Sequence, residues 1–252
     1  MLDTHCHIDQ YPNPLAIAQL AEKKRVTTIG VTTLPSHFQE GKEFVKDFRY
    51  VRLALGLHPL AVEQHTHKEL ALFKQLLPST AFIGEVGLDF SRHGKATAAR
   101  QQASFQYVLE QIQSRPRFLT LHSRGAEARV LEMLTEYQSP VAVFHWYTGP
   151  IAHIEKIQAN GHYFSINPAM LQSENGRRII QQIAPARVLL ETDGPYVQVE
   201  NRTVLPTDGE LTIKRLAALW ETDVDELQAQ IRSNFNSLMQ PIKAAAAISK
   251  AN

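Results

Sequence analysis

Two histidines, His5 and His7, stand one residue apart in the stretch LDTHCHID, with Asp3 and Asp9 on either side. Side chains two apart on a β-strand point to the same face. Both imidazoles can therefore converge on one cation, while Cys6 faces the other way as a small buried residue. Further reactive groups recur where later apolar runs end: His58 before Pro59, Glu85 and Asp89 in IGEVGLD, His122 and Arg124 in LHSR, His145 in FHWYTG, and Glu191 and Asp193 in LLETDGP. A single histidine at such a place is ordinarily packed or solvated. Six suitable residues at successive strand ends are hard to reach by chance. Imidazoles with carboxylates form a hard-to-borderline ligand set suited to Zn²⁺, Mn²⁺ or Mg²⁺. A bridging carboxylate lets two ions sit about 3.5–4 Å apart, the spacing used in two-metal hydrolysis of phosphate esters.

Something must bring those ends together. Short β-branched runs (MLDTHCHID, VTTIGVTT, YVRLALGLHP, AFIGEVGLD, RFLTLHSR, VAVFHWYTG, HYFSINPAM and RVLLETDGP) alternate with amphipathic stretches. The pace, roughly one run every 25–35 residues, is that of a repeated strand–helix unit. Asn13-Pro14 reads as a helix cap followed by proline at the first helical position, with Ile17, Leu20, Ala21 and Lys24 sharing a face. A longer helix starts near Ala96, Ile213, Leu216, Ala217 and Trp220 repeat at helical spacing, and Asp223 with Glu226 reads as a cap and its partner. The expectation is α/β: a single (β/α)₈ TIM barrel over residues 1–240, with a frayed Ala- and Lys-rich tail over 241–252. In that fold, catalytic groups gather at the C-terminal mouth, each from a different strand. An open doubly wound sheet is the alternative, but no Gly-rich dinucleotide fingerprint supports it.

A length of 252 residues suits one such barrel. Lys plus Arg is 26 and Asp plus Glu is 25, so a polyanion would have to be held by a local patch or by metal rather than by the net field. With one cysteine there is no intrachain disulfide, which suits a reducing cytosol. No long apolar stretch is present, and a soluble, cytoplasmic protein without membrane contact is expected.

DTHCHID, GLHP, IGEVGLD, PRFLTLHSRGAE, FHWYTG, LLETDGP and NFNSLM, in this order, resemble the TatD-related metal-dependent deoxyribonucleases within the amidohydrolase-like barrels. The resemblance runs from Asp3 to about Met239. It implies that His5, His7, Glu85 and Asp193 hold one divalent ion, that Glu85 bridges to a second, and that His122 and His145 complete that second site. It also implies that Asp193 orients or deprotonates the attacking water, with Glu85 and Asp193 the catalytic carboxylates. Arg124 would hold a substrate phosphate as a planar bidentate donor, and His58 would touch substrate at the rim. Trp146, Tyr147 and Tyr196 are candidates for stacking on bases, each with packing as its ordinary alternative.

The activity so implied is phosphodiester hydrolysis, as a 3′–5′ exonuclease on single-stranded DNA. A closed barrel mouth suits a strand end better than mid-duplex. Two segments depart from the family pattern: SINPAM, where Asn167, Pro168 and Met170 would reshape one wall, and the loop PYVQVENRTVLPTDG, where Arg202 could replace a missing arginine element. These departures resemble QatD, the TatD-like component of a four-protein bacterial anti-phage system, which implies defence partner proteins. Two other functions compete. One is an amide, lactone or organophosphate hydrolase; relatives of that kind often bridge their metals with a carbamylated lysine, and no lysine ends a strand here. The other is a metal-retaining binding component with little activity of its own.

Overall fold

The computed structural model describes residues 1–113 and 115–251, the side chains of 249–251 excepted. Eight parallel strands follow one another in chain order: β1 (Leu2–Cys6), β2 (Thr27–Gly30), β3 (Val51–Leu53), β4 (Phe82–Gly87), β5 (Phe118–His122), β6 (Ala142–His145), β7 (Tyr163–Ile166) and β8 (Val188–Leu190). Strands β1 to β3 pair successively, as do β4 to β8. Backbone bonds join the two sets: Leu55 N–H donates to Phe82 O at 3.0 Å and Gly84 N–H to Leu55 O at 3.0 Å. The ring closes where β1 meets the end of β8. There Asp193 N–H donates to His5 O at 2.9 Å, and His7 N–H to Gly194 O at 2.8 Å. Thr192 seals this seam, donating its N–H (3.0 Å) and hydroxyl (2.6 Å) to the Asp3 carboxylate. Asp3 is wholly buried, and burial pushes its carboxyl up to about 8. The architecture is the TIM barrel.

Helices lie outside the ring. The Asn13 side chain accepts the Ala16 N–H at 3.1 Å to start α1 (Pro14–Lys23), as the Asn-Pro signal predicts. The later helices are α2 (Pro35–Val45), α3 (His67–Leu76), α4 (Ala98–Ile112), α5 (Glu127–Glu136), α6 (Ile154–Ala159), α7 (Pro168–Gln172), α8 (Glu174–Ile180), α9 (Gly209–Trp220) and α10 (Val224–Ala251). Phe105, Val108, Leu109 and Ile112 of α4 are buried in one continuous core with Ile83, Val86, Leu119 and Leu121 of the strands. Residues 241–251 continue α10 as helix where the sequence predicts a frayed tail, because alanine has the highest helix propensity and outweighs the one interruption at Pro241. Among the described residues no helix is long and apolar enough to cross a membrane.

One buried histidine makes the fold acid-sensitive. His162 Nδ1 accepts the Ala142 N–H at 3.1 Å where β6 begins, and burial lowers its pKa to about 4. A histidine with a depressed native pKa stabilises the fold above its unfolded pKa of about 6.5, and that contribution is lost as pH falls toward the native value. His162→Asn keeps an acceptor without the charge. Urea titrations from pH 7 to pH 4 are expected to show the wild type losing about 3 kcal/mol more than the variant.

Candidate metal centre

Backbone irregularities aim the central carboxylate. The β4–β5 register shifts between Ile83 and Val86, which places Glu85 at the irregularity, and the β1–β2 register shifts between Asp3 and Cys6, around His5. Such irregularities re-aim side chains beside active sites. Glycines flank Glu85 because nothing larger fits. A Cβ on Gly84 would stand 2.2 Å from Thr120 Cγ2, and one on Gly87 would stand 2.1 Å from His122 O. At the end of β6 and β8, Trp146 (φ 36°) and Asp193 (φ 50°) adopt left-handed backbone that non-glycine residues seldom take.

Five imidazoles close on the two oxygens of Glu85. His5 Nε2 (3.4 Å), His7 Nε2 (3.0 Å) and His58 Nε2 (3.3 Å) face Oε2. His122 Nδ1 (2.6 Å) and His145 Nε2 (2.9 Å) face Oε1. Asp193 Oδ1 stands 3.7 Å from His5 Nε2 and 3.6 Å from His7 Nε2, on the Oε2 side. The His5 and His145 rings stack with centroids 3.9 Å apart. The structure therefore brings His5, His7, Glu85, His122, His145 and Asp193 to one place at the mouth. His58, expected at the rim, leans over the same carboxylate.

The donor set demands positive charge. Glu85 is an acceptor-only group, 1% exposed. Burial alone would raise its pKa, but the His58, His145 and His122 imidazoles outweigh burial and hold it well below the usual carboxylate range. Burial opposes charge on the imidazoles too. It wins at His5, whose pKa falls well below normal; at His7, His122 and His145 the neighbouring carboxylates win and the pKa rises. Asp193 is raised, chiefly by burial. His5 Nε2 and Asp193 Oδ1 are buried without a hydrogen-bond partner and face one another. An acceptor-rich, desolvated pair of this kind fits a cation. A divalent ion matches the ligand types, and the two oxygens of Glu85 divide the histidines into two sets.

Neighbouring groups fix the rings. Thr120 Oγ1 is 2.8 Å from His5 Nδ1, so Nδ1–H bound there leaves the Nε2 lone pair aimed inward. Asp89 Oδ2 is 2.8 Å from His122 Nε2, which frees Nδ1 toward Glu85 in the same way. Outer partners of this kind set tautomer and orientation. Glu191 accepts from Trp146 N–H (3.1 Å), Asn167 Nδ2 (2.9 Å) and the Ser165 hydroxyl, with His145 Nδ1 3.6 Å away. The sequence names Asp89 and Glu191 without a role and misses Thr120 altogether; its one signal is a hydroxyl at an alternate position of a strand ending in histidine. Thr120→Val keeps the shape and removes that contact. Its divalent-ion affinity, read by calorimetry, is expected to fall 10–100-fold.

The centre opens into a cavity of about 670 Å³ lined by Arg124, Trp146, Tyr196 and the inner histidines. Tyr196 is 59% exposed and meets the His7 ring edge-on at 4.9 Å. Tyr147 is buried and its hydroxyl bonds Pro150 O at 2.7 Å, so it packs rather than stacks. Asn167 also turns inward, to Glu191 and to the Met170 N–H, and Met170 is buried, so these two residues brace the wall from behind instead of lining it. Arg202 is not a free replacement arginine: it sits on a short hairpin, β9 (Gln198–Val199) and β10 (Arg202–Thr203), and holds Asp208 through both guanidinium nitrogens at 2.6 and 2.9 Å.

A closed eight-stranded barrel with histidines and carboxylates converging at its C-terminal mouth defines a metal-dependent hydrolase of the barrel type. Residues 2–240 match the family described as TatD related DNase, and the chain belongs to that family. It is thus a divalent-metal-dependent enzyme that hydrolyses phosphodiester bonds. The human deoxyribonuclease TATDN3 is 28% identical over 224 residues, 80% of this chain and 81% of that protein. The 3′-5′ ssDNA/RNA exonuclease TatD of Edwardsiella piscicida is 32% identical over 149 residues, 56% of this chain and 57% of that one. In fold, the crystal structure of YJJV, a TatD homologue from Escherichia coli K12, superposes with a TM-score of 0.85 at 23% identity, covering 94% of this chain and 97% of that one.

Proposed function

We propose that this enzyme removes nucleotides from the 3′ end of single-stranded DNA, with divalent ions held by His5, His7, Glu85 and Asp193 on one side and Glu85, His122 and His145 on the other. The observation that carries this is the division of imidazoles between the two oxygens of one buried carboxylate. Bound there, such ions supply Lewis acidity, which acidifies water and offsets charge on phosphate oxygens. Asp193 presents an unpartnered carboxylate oxygen at the cavity floor, where it accepts the proton of the attacking water and aims it at phosphorus. Arg124, on the cavity wall, binds a non-bridging oxygen with its planar fork. Glu85 fixes the spacing of both ligand sets. Tyr196, exposed beside His7, offers a stacking face for a terminal base.

No lysine lines the cavity among the described residues, which favours phosphodiester chemistry over the carbamylated-lysine hydrolases. Single-strand and 3′–5′ preference are supported by the Edwardsiella relative's name. Single-stranded DNA carrying a 5′ label, incubated with Mg²⁺, Mn²⁺ or Zn²⁺, is expected to give a descending ladder, and a 3′ label is expected to be released at once as mononucleotide. Internal cuts without a ladder, or inertness with all three ions, would refute the proposal. Action in the cytoplasm, as the TatD-like member of an anti-phage assembly with partner proteins, extends this proposal. Plaque counts on cells carrying the wild type or Glu85→Gln in that assembly check it.

A further inference from the structure

We propose that the base of the barrel, at the opposite end from the metal centre, carries a second docking surface for nucleic acid, which holds a distal stretch of the strand whose 3′ end occupies the mouth; the choice of a single strand rests on the function proposed above. Two segments build it. The last residue of α1 and the turn after it contribute Lys23, Lys24 and Arg25, and the connection from α2 into β3 contributes Arg49 and Arg52, all five exposed. Glu22 fastens the segments together: its Oε1 accepts the Arg49 N–H at 2.8 Å and its Oε2 the Tyr50 N–H at 2.7 Å. The Thr28 N–H also donates to Tyr50 O at 2.8 Å, and β2 pairs with β3 from Thr28 and Val51 onward. Both segments therefore sit where β2 and β3 begin, whereas the metal ligands sit where strands end. The five residues of β1 put about 17 Å between those two ends before the loops are counted.

These cations lack the partners that arginines have elsewhere on the surface. Arg129 holds Glu132 and Glu136, Arg100 holds Glu63, and Arg202 holds Asp208. Among the described residues, none of Lys23, Lys24, Arg25, Arg49 and Arg52 makes an ion pair; in this sector only Lys46 does, with Glu43 at 3.5 Å. Glu22 lies among them, but both its oxygens are taken up by backbone amides. Residues 22–25 and 46–52 together carry six cations against two carboxylates, in a chain whose net charge is +1. With so little net field, a polyanion is held by such a local patch. Cations at a helix C-terminus complement the helix dipole, which accounts for Lys23 and Lys24. It does not account for Arg25, Arg49 and Arg52, which lie outside the helices. Aromatic rings are interleaved with the charge. The Arg49 guanidinium carbon lies 5.6 Å from the centroid of the Tyr50 ring, and Phe44, in the last turn of α2, is 64% exposed. That mixture suits a flexible polynucleotide, with phosphates on the cations and bases on the rings.

The test uses the metal-loaded protein and oligothymidylates protected by 3′-terminal phosphorothioates, with binding read by fluorescence anisotropy. The wild type is expected to bind a strand of about forty nucleotides about tenfold or more tightly than one of about five, which is too short to leave the mouth and reach the base. Lys23→Gln/Lys24→Gln/Arg49→Gln is expected to lose that length advantage. Its slope of log affinity against log salt should be shallower by about 2, near 0.7 for each phosphate contact removed. Its affinity for the short strand, its turnover of a 5′-thymidyl p-nitrophenyl phosphodiester and its Tm should match the wild type. Lys156→Gln/Arg178→Gln/Lys214→Gln removes the same charge from α6, α8 and α9 and is expected to keep the length advantage. Equal weakening in that control, or a length advantage that survives in the patch variant, would overturn the proposal. So would patch-dependent binding of phosphatidylserine vesicles with no patch-dependent binding of the long strand, which would make the partner a membrane. If the long strand binds through the patch while the wild type cleaves no phosphodiester, the docking surface stands and the nuclease function falls.

Discussion

Glu85→Gln is expected to lower single-strand DNA cleavage at least ~10³-fold, about 4 kcal/mol of transition-state stabilisation, in a protein that remains folded. The size follows from position. Each Glu85 oxygen faces its own histidines, so one substitution weakens both ligand sets, whereas loss of His122 or His145 touches only one. An amide also places an N–H where an imidazole lone pair now points. Metal content should therefore fall for both ions, and excess Mn²⁺ should restore little. Circular dichroism and mass-spectrometric metal analysis of the same sample separate loss of metal from loss of fold. Undiminished cleavage with a full metal complement would remove Glu85 from the centre.

Gly84→Ala should damage the metal centre and the fold together. Its Cβ would stand 2.2 Å from Thr120 Cγ2 and 3.1 Å from Thr120 O, on a residue with φ of 153°. Overpacking and backbone strain together are expected to cost about 3 kcal/mol or more, roughly 6–12 °C in Tm for a domain of this size. The displaced Thr120 is the residue that holds His5 Nδ1, so metal affinity should fall with stability. Thr120→Ser removes the clashing methyl and keeps the hydroxyl. The double variant Gly84→Ala/Thr120→Ser is expected to regain part of both losses, a coupling that a thermodynamic cycle on Tm and ion affinity would measure. Independent, additive effects would show that the two residues do not communicate through that contact.

The strands and their reactive ends were legible because they are local: alternating β-branched runs, six of the eight ending in histidine or carboxylate, need no knowledge of their neighbours. Closure was only implied. The seam between β1 and β8 is made by Asp3 and Thr192, nearly the whole chain apart, and neither carries a signal of its own. The six converging residues were readable as a set, but not His58 leaning over Glu85, because its ring is held by one backbone N–H two residues on. Trp146 and Asp193 take left-handed backbone that no propensity would assign them. Arg202 misled for a physical reason: an exposed arginine six residues before an aspartate found that partner in the turn that follows its own hairpin. Residues 241–252 read as a loose end from their Ala- and Lys-rich composition at a terminus, yet 241–251 prolong a helix already begun at Val224, and Asn252 lies outside the described residues.

Because the barrel is sealed by its first and last strands, the cation cradle draws His5 and His7 from one edge of the seam and Asp193 from the other. During synthesis the histidines leave the ribosome some 190 residues ahead of the aspartate they must meet. A nascent chain stalled anywhere before β8 thus carries most of the ligands and none of the enzyme. No product that stops short of that point holds the complete cradle; it is assembled only when the polypeptide has come full circle.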